Sequence, residues 1–379
     1  MRRRFLLLGA GMGAGHAAVS AELARRLRER GDHALVRDVL TLLPPGVGPA
    51  VRSSYRATVR YAPWVYEGIY ALFMSPAKGP RPSSTPLAVA AERRLMELVE
   101  LWRPDVVVST FHLAAELTGR LRAKGTLPVP AAVFLTDLAV HRGWLHPGND
   151  LYVCVTEATA ADVRAATGRP AMASGPVVAP AFHTAGTRVP SSHWETDHWE
   201  TEFARVGFGR APVLLSTGAW GVGTAIENTA RSLAHHGCLP VVLCGRDRVL
   251  RRRTTRLPGV LGLGWVADMP QLFASVRVLI DNAAGQTAVQ ALASGVPVIG
   301  YRPIPGHGAE GVRSMAAAGL SVRAGSLPEL LRAVDRLARA GTAREEQLAR
   351  GAAAFTADAA GVIADFFGPR PVQDGDGPG

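Results

Sequence analysis

Short apolar runs alternate with amphipathic stretches along most of the chain. In the first half the apolar runs cover residues 5–8, 33–40, 104–111, 130–137 and 150–157. The stretches between them carry apolar positions at helical spacing, and they predict helices at 16–30, 88–102, 113–125 and 158–167. This order of strand and helix is typical of a doubly wound parallel sheet.

The second half of the chain repeats the alternation. Its apolar runs predict strands at 212–218, 239–245, 260–265, 276–282, 296–301 and 320–325. Two such sheets enclose a cleft, and doubly wound folds bind ligands at the carboxyl ends of their strands. The predicted fold class is therefore α/β, with two doubly wound, Rossmann-like domains that face a cleft.

The breaks in this pattern predict the domain bounds. We expect an N-terminal domain over residues 1–185, a polar linker with an insertion over 186–206, and a C-terminal domain over 207–345. Residues 346–367 are predicted to be a C-terminal helix that packs back on the N-terminal domain. Residues 368–379 are rich in Gly and Pro and are predicted to be a disordered tail.

Length and composition limit the class of protein. A chain of 379 residues with 47% hydrophobic residues fits a globular protein of two domains. No apolar run reaches the ~18 residues that span a bilayer. The first residues resemble a signal peptide, but their apolar run is short and belongs to a strand–turn–helix unit. The three cysteines show neither metal nor disulfide spacing, so we expect a cytoplasmic protein.

The net charge of +11 points to an anionic partner. Nucleic acid and an anionic membrane surface both fit such a charge. The sequence contains no RNP, zinc-finger or helix-turn-helix pattern, which favours the membrane and predicts no nucleic-acid partner.

A glycine-rich segment, GAGMGAGH, follows the first strand. Gly9, Gly11 and Ala14 match the dinucleotide fingerprint, and Asp38 ends the next strand where a ribose-binding acid belongs. An oxidoreductase is therefore one alternative. His16 favours a functional site of another kind, because its ring in the first helical turn projects into the cleft beside any anion that the loop binds. A His that only caps or packs the helix is the structural alternative.

A second candidate segment is TDLAVHRGW, at residues 136–144. Asp137 lies at the carboxyl end of a strand, and His141 and Trp144 follow closely. A carboxylate near a His suits a general base for a hydroxyl acceptor. An Asp that caps a helix beside a surface His is the alternative, and the spacing does not choose between them.

Three segments of the second half suit a nucleotide. Residues 216–223 form another strand–glycine loop–helix unit, which is a second phosphate-binding candidate. Residues 281–311 contain a turn of small residues and a long loop, a pattern that suits a diphosphate, and Gln290 is placed to reach a sugar hydroxyl. Residues 264–282 offer backbone groups to the edge of a flat base.

Taken together and in order, these segments resemble nucleotide-sugar glycosyltransferases of the GT-B architecture. They are most similar to the branch with monogalactosyldiacylglycerol synthases and processive diacylglycerol glucosyltransferases, which is glycosyltransferase family 28-like. The resemblance extends from about residue 5 to residue 322. In that family the loop at 11–16 opens the acceptor domain, and the aromatic segment at 55–70 is implicated in lipid and membrane contact.

The resemblance implies roles for individual residues. The catalytic residues it implies are His16, Asp137 and His141, with either Asp137 or His16 as the base. The acceptor- and membrane-contacting residues it implies are Gly13, Tyr55, Tyr61, Trp64, Tyr66, Tyr70 and Trp144. The donor-binding residues it implies are Gly218, Trp220, Gly221, Gly245, Val266, Met269, Asn282, Gly285, Gln286, Thr287, Gln290 and His307.

The sequence departs from the family pattern at two places. The family usually carries Glu where this chain has Gln290, which keeps an acceptor oxygen and loses the charge. The family loop P-x-P-G-Q-E has His307 and Gly308 in place of Gln and Glu, and Glu310 lies two positions further on. That loop contacts the transferred sugar in the family.

The function implied is that of an inverting hexosyltransferase, a glycolipid synthase that transfers a sugar from a UDP-sugar to a lipid hydroxyl such as that of diacylglycerol. A polyprenyl-linked or small-metabolite acceptor is an alternative, as is a non-catalytic protein that binds nucleotide-sugar or lipid. The UDP-sugar is the only cofactor expected, as a co-substrate, without a metal. The protein is expected at the inner face of the cell membrane, bound peripherally to anionic lipid.

Overall fold

The computed structural model describes residues 2–74, 84–184, 197–207 and 209–368. The strands in these residues are β1 (Arg4–Gly9), β2 (His33–Asp38), β3 (Val106–Ser109), β4 (Ala131–Leu135), β5 (Leu151–Cys154), β6 (Ala171–Ala173), β7 (Pro212–Ser216), β8 (Leu239–Leu243), β9 (Leu261–Leu263), β10 (Val278–Asp281), β11 (Val298–Tyr301) and β12 (Val322–Ala324).

Most strands are followed by helices, as the alternation predicts. The helices in the described residues are α1 (Ala14–Glu29), α2 (Val47–Tyr61), α3 (Pro63–Phe73), α4 (Thr85–Trp102), α5 (His112–Ala123), α6 (Glu157–Thr167), α7 (Pro180–Thr184), α8 (Asp197–Gly207), α9 (Ile226–His235), α10 (Arg248–Thr255), α11 (Met269–Ser275), α12 (Gln286–Ala293), α13 (His307–Ala317), α14 (Leu327–Ala338), α15 (Thr342–Ala353) and α16 (Ala359–Phe366). Short 3₁₀ turns lie at Val39–Leu42 and Arg142–Trp144.

The N-terminal domain is built on a parallel sheet with the strand order β2-β1-β3-β4-β5-β6. In β1 the side chains from Phe5 to Leu8 are all fully buried, as expected for a strand covered by helices on both faces. The strand order reverses between β1 and β3, which pair in parallel. The loops after these two strands therefore open at a topological switch point, where doubly wound sheets bind ligands.

The C-terminal domain has a second parallel sheet, ordered β12-β11-β10-β7-β8-β9. Its switch point lies between β7 and β10, which pair in parallel. The two switch points meet at one cleft, and apolar residues of both domains pack beside it in a shared cluster that includes Val178, Phe182, Leu272 and Phe273. The predicted fold class, two doubly wound domains that face a cleft, is confirmed.

The predicted linker differs from the structure where it is described. Residues 197–207 form α8, whose Trp199 and Phe203 are buried against Leu239 and Phe273 of the C-terminal domain. The segment looks polar in sequence, but Trp199 and Phe203 lie four positions apart on one helix face, and both rings pack into the core. The rest of the linker, residues 186–196, lies outside the described residues, as does the predicted tail except for residue 368.

The predicted C-terminal helix over 346–367 is two helices in different domains. In α15, the amide of Gln347 donates to the carbonyl of Val298 and accepts from its N–H, at 3.0 and 3.1 Å. Helix α16 begins after Asp358, which caps it and pairs with Arg26 at 3.2 Å. The apolar residues of α16 join the core beneath the N-terminal sheet. The chain thus returns to its first domain only after α15.

The aromatic segment at residues 55–70 lies in a helical hairpin formed by α2 and α3. Helix α2 ends at Tyr61 and α3 begins at Pro63, which suits the first turn of a helix because its missing N–H has no partner there. The hairpin stands over the cleft, and its two faces differ in exposure. Among the described residues no helix is both long and apolar enough to cross a membrane.

Candidate active site

The cleft has a volume of ≈ 1210 Å³. It is lined by the loops after β1, β3 and β4 of the N-terminal domain and after β7, β9 and β10 of the C-terminal domain. A pocket for one small ligand is typically ~300–1,000 Å³, so this cleft has room for two substrates side by side.

His16 lies in the first turn of α1, directly over the N-terminal switch point. Its Nδ1 is 3.0 Å from the carbonyl oxygen of Thr110, and its ring packs edge-on against Phe111 with centroids 5.0 Å apart. A carbonyl oxygen only accepts, so Nδ1 carries the proton. Burial lowers the pKa of His16, against the opposing charge of Asp137. The ring is therefore neutral near pH 7, and Nε2 keeps a free lone pair.

Asp137 follows β4, and its Oδ1 accepts from the hydroxyl of Thr136 at 3.3 Å. Its Oδ2 accepts the indole N–H of Trp144 at 2.8 Å and lies 3.4 Å from Nε2 of His141. Burial by itself would raise the pKa of Asp137. The hydrogen bond and charge of His141, the charge of His16 and the Trp144 N–H outweigh burial and hold that pKa well below its usual range. Asp137 is thus a fixed negative charge at neutral pH.

The structure answers the question of helix capping at this loop. The short turn Arg142–Trp144 is capped by His141, whose Nδ1 accepts from the N–H of Gly143 at 3.2 Å. Asp137 is therefore not the cap. The predicted membrane contact of Trp144 is wrong, because this side chain is fully buried and its N–H is used by Asp137.

His112 is a cleft residue that sequence reasoning missed. It begins α5, and its ring lies 5.4 Å from His141 and 6.2 Å from Trp144, centroid to centroid. Its Nδ1 is buried without a hydrogen-bond partner. Burial first, and then the neighbouring His141 and His16, hold its pKa well below the usual value. Its place directly after a strand was the available sequence signal.

The aromatic side chains of the hairpin fall into two sets, one in the cleft and one exposed. Tyr55, Tyr66 and Tyr70 line the cleft, whereas Tyr61 and Trp64 are 74% and 73% exposed. The prediction treated all five as one acceptor and membrane surface. Helical periodicity divides them, because positions four apart share a face and their neighbours do not.

The inward tyrosines reach the C-terminal domain. The hydroxyl of Tyr66 is 2.6 Å from Nδ1 of His307, and the hydroxyl of Tyr70 donates to the carboxylate of Glu310. Both partners belong to α13. The N-terminal domain therefore contacts the loop in which His307 and Gly308 depart from the family pattern.

The predicted donor-binding residues nearly all lie together. The cleft-lining members of that set are Gly218, Trp220, Gly245, Val266, Met269, Asn282, Gly285, Gln286, Thr287, Gln290 and His307. Gly221 does not line the cleft. Its φ is +68°, and a Cβ there would lie 2.5 Å from the Cβ of Asp247, so this glycine is required by packing.

Several of these side chains brace the cleft walls. The amide of Asn282 donates to the carbonyl of Val222 at 2.9 Å and ties the β10 loop to the β7 loop. The amide of Gln286 donates to the carbonyl of Val177 at 3.0 Å, across the domain boundary. The indole of Trp220 likewise donates to the carbonyl of Met12 at 3.1 Å, and the guanidinium of Arg56 lies over its ring at 4.4 Å.

Two glycines, one in each domain, leave open space at the N-termini of two helices that contact each other. Gly13 precedes α1 and Gly285 precedes α12, and a Cβ built on either would meet no atom within 4 Å. Each has a negative φ, so the openness is not a matter of backbone strain. The first N–H groups of a helix have no partner within it and attract anions.

Asp38, the residue behind the dinucleotide alternative, is fully engaged. Its Oδ2 accepts from the N–H of Gly11 at 3.1 Å and from the guanidinium of Arg52 at 2.6 Å, and its Oδ1 accepts from the N–H of Leu40 at 2.9 Å. This carboxylate braces the glycine loop, which disfavours a ribose-binding role.

Two doubly wound domains whose switch points face one cleft define the GT-B fold of glycosyltransferases. The solved structures agree. MurG of Acinetobacter baumannii superposes with a TM-score of 0.55 at 13% identity, covering 97% of this chain and 99% of that one. The Anabaena protein Alr3699/HepE, in complex with UDP-glucose, gives a TM-score of 0.55 at 14% identity, with 93% and 94% covered.

Sequence comparison shows which glycosyltransferases this chain is similar to. The family model for monogalactosyldiacylglycerol (MGDG) synthase matches residues 16–175, which begin at His16 and cover most of the N-terminal domain. The processive diacylglycerol β-glucosyltransferase of Bacillus pumilus is 24% identical over 344 residues, which are 88% of this chain and 86% of the relative. The chain therefore resembles the diacylglycerol glycosyltransferases, as its motifs predict.

Proposed function

We propose that this protein is an inverting hexosyltransferase that transfers a sugar from a UDP-sugar to a lipid hydroxyl, with diacylglycerol as the acceptor. The main structural support for this proposal is the pairing of two features across the domain boundary. An imidazole with a free Nε2 lies on one side of the cleft, and an open helix N-terminus suited to a diphosphate lies on the other. The named relatives that act on diacylglycerol support the same class of reaction.

In the proposed reaction His16 is the general base. The acceptor oxygen attacks the anomeric carbon, its proton passes to Nε2 of His16, and the bond from that carbon to the UDP oxygen breaks. Inversion follows because attack and departure occur on opposite faces. Asp137 stabilises the imidazolium that forms, while its Trp144 partner keeps the carboxylate in place. The low pKa of Asp137 makes it a weaker proton acceptor than His16.

On the donor side, the diphosphate binds at the N-terminus of α12 beside Gly285 and Thr287. Backbone N–H groups and the helix dipole stabilise the charge on departing UDP, so the proposal requires no metal ion. Gln290 is assigned to the ribose, one turn further into the helix, and Val266 and Met269 are assigned to the uracil.

The acceptor side of the cleft suits a lipid. Its wall is formed by apolar side chains of the N-terminal domain: Leu40, Val47, Val51, Val59, Ile69, Phe73, Met74, Leu87 and Leu113. Burying such a wall against hydrocarbon is favourable by roughly 25 cal/mol per Å². A small polar metabolite would leave it hydrated, and the wall therefore favours an acyl-bearing acceptor.

The exposed tip of the aromatic hairpin is the proposed membrane contact. Tyr61 and Trp64 flank the turn between α2 and α3, and their side chains are exposed to solvent. Aromatic side chains of this kind partition to the lipid–water interface. The Arg-rich surface, with a chain net charge of +11, adds attraction to anionic lipid at the inner face of the membrane.

The test is UDP release from UDP-glucose or UDP-galactose in the presence of diacylglycerol in anionic vesicles. The expected product is a monohexosyl-diacylglycerol of inverted configuration, identified by mass spectrometry and NMR. Chelation of divalent cations should leave the rate unchanged. Trp64→Ser should weaken sedimentation with the vesicles and leave UDP binding intact.

The outcomes separate the alternatives. Turnover with a polyprenyl-linked or soluble acceptor, and none with diacylglycerol, would show that the acceptor is wrong. Tight UDP binding without turnover on any acceptor would identify a non-catalytic binding protein. Full activity in His16→Ala would refute the assignment of the base.

A further inference from the structure

A helix of the acceptor-side domain contacts the loop that begins α13 of the donor-side domain. The rings of Tyr66 and His307 meet edge-on, with centroids 5.7 Å apart and planes at 89°, and the hydroxyl lies 2.6 Å from Nδ1. One turn along α3, Tyr70 donates to Glu310. The two contacts repeat at helical spacing, so α3 and α13 meet as matched surfaces.

A glycine permits this approach. Gly306 precedes α13 with φ +70°, and a Cβ there would lie 2.7 Å from Cγ of the Tyr70 ring. Any other residue would be strained in this conformation and would push the ring away. The close contact of α3 with this loop is therefore built into the backbone at Gly306.

The protonation states of the pair follow from their surroundings. Burial lowers the pKa of His307 to about 4, with Asp137 opposing it, so the imidazole is neutral near pH 7. Burial raises the pKa of the Tyr66 phenol, which stays protonated. An unprotonated imidazole nitrogen accepts more strongly than a phenol oxygen does. With the proton of His307 on Nε2, the Tyr66 phenol donates to Nδ1, and Tyr55, which also hydrogen-bonds to the Tyr66 hydroxyl, donates to the phenol oxygen.

We infer that Tyr66 is a positioning residue for the donor sugar: it fixes His307 in the Nε2–H tautomer, and this N–H donates a hydrogen bond to a hydroxyl of the transferred hexose. His307 lines the cleft, where the hexose must lie between the diphosphate and His16. This inference rests on the proposed function. It follows that the N-terminal domain completes the sugar subsite and has no such part in binding UDP alone.

The experiment compares affinities for two soluble ligands, UDP and UDP-hexose, by titration calorimetry on the full chain. Tyr66→Phe keeps the ring and removes the hydroxyl. We expect its Kd for UDP to match that of the wild type and its Kd for UDP-hexose to rise about 5- to 10-fold, the scale of one lost hydrogen bond. The KM for the donor should rise likewise, with the KM for the acceptor unchanged.

Two further variants separate positioning from stability. Tyr152→Phe removes a buried hydroxyl of the same domain that bonds to the backbone of His146 at 2.8 Å, outside the cleft. It should change neither nucleotide affinity. His307→Gln supplies an amide N–H without a tautomer to fix. In that background, adding Tyr66→Phe should change UDP-hexose affinity less than twofold.

The results that overturn the inference are distinct from those that overturn the proposed function. Equal loss of affinity for UDP and UDP-hexose in Tyr66→Phe, or no loss for either, contradicts the positioning role even when the wild type turns over UDP-hexose. Additive effects of Tyr66→Phe and His307→Gln also contradict it. A wild-type protein that binds no UDP-hexose refutes both statements.

Discussion

The two halves of the cleft share a topology and differ in chemistry. Each is the switch point of a parallel sheet, and each opens at a glycine that precedes a helix. The N-terminal half gathers ionisable side chains, namely His16, His112, Asp137 and His141. The C-terminal half presents mainly backbone and small side chains. The topology fixes where a ligand binds, and the side chains added to it fix what happens there.

The two halves of the cleft also differ in the contacts that fix their side chains. Asp137 and His141 are oriented by hydrogen bonds within one loop of the N-terminal domain. The C-terminal side is instead held by contacts with the N-terminal domain, through Gln286 to Val177 and through Tyr66 to His307. The proposed catalytic side chains thus have a rigid local frame, whereas the proposed sugar subsite requires contacts from both domains.

The largest effect should come from removing the base on the N-terminal side. We expect His16→Ala to lower kcat by about 10²- to 10⁴-fold, because proton removal by a positioned side chain contributes that much. The Kd for UDP should stay unchanged, since the proposed UDP-binding residues belong to the C-terminal domain. UDP release under saturating substrates, with calorimetry for UDP, measures both.

Gln290→Ala, on the C-terminal side of the cleft, is the variant to compare with His16→Ala. Gln290→Ala should raise the KM for the donor with a smaller change in kcat. If His16→Ala instead weakened UDP binding, or Gln290→Ala abolished kcat at saturation, the division of labour between the halves would be wrong.

The two open glycines allow a more direct comparison. Gly13→Val and Gly285→Val place the same side chain at equivalent positions, where the protein itself offers no clash and φ is negative. Gly285→Val should weaken UDP about tenfold or more, because forcing a side chain into space that a ligand needs costs ~1–3 kcal/mol. Gly13→Val should leave UDP binding unchanged and raise the KM for the acceptor.

Thermal unfolding without ligand is the control for both glycine variants. Their melting temperatures should stay near that of the wild type. A large fall in either would mean that the loop requires glycine for folding, and equal effects of both on UDP would remove the distinction between the two loops.

The sequence was sufficient for the fold because the fold depends on a repeated local pattern. Every predicted strand is present, since buried parallel strands are continuous apolar runs. The strand missed, β6, is three residues long at a sheet edge. The aromatic rings of α8 were missed because their partners, Leu239 and Phe273, are distant in sequence.

The candidate site was predictable in position and less so in detail. His16 and Asp137 follow strands, so topology alone brings them to the cleft. Trp144 was assigned to the membrane because its hydrogen bond to Asp137 depends on how one loop folds back. The Tyr66–His307 contact joins residues 241 positions apart, across two domains, and no local pattern encodes it.

The smallest effect expected is on stability against pH, and it comes from buried imidazoles on both sides of the cleft. Burial lowers the pKa of His16 and holds that of His112 well below the usual value, and that of His307 is about 4. Between these native values and the unfolded value of about 6.5, the unfolded chain binds more protons. The free energy of unfolding therefore falls as pH drops below about 6.5, and it goes on falling through pH 4.

His112→Phe tests how much the N-terminal half contributes to the loss of stability at low pH. Phe keeps a ring among Phe111, His141 and Trp144 and removes a buried Nδ1 that has no partner. Melting temperatures of the variant and the wild type should be similar at pH 8. At pH 5 the variant should melt about 2–4 °C higher, the shift expected for ~1 kcal/mol in a chain of more than about 150 residues. Parallel pH curves for the two proteins would show that His112 does not resist protonation, and the N-terminal half would then lack the buried neutral imidazole assigned to it.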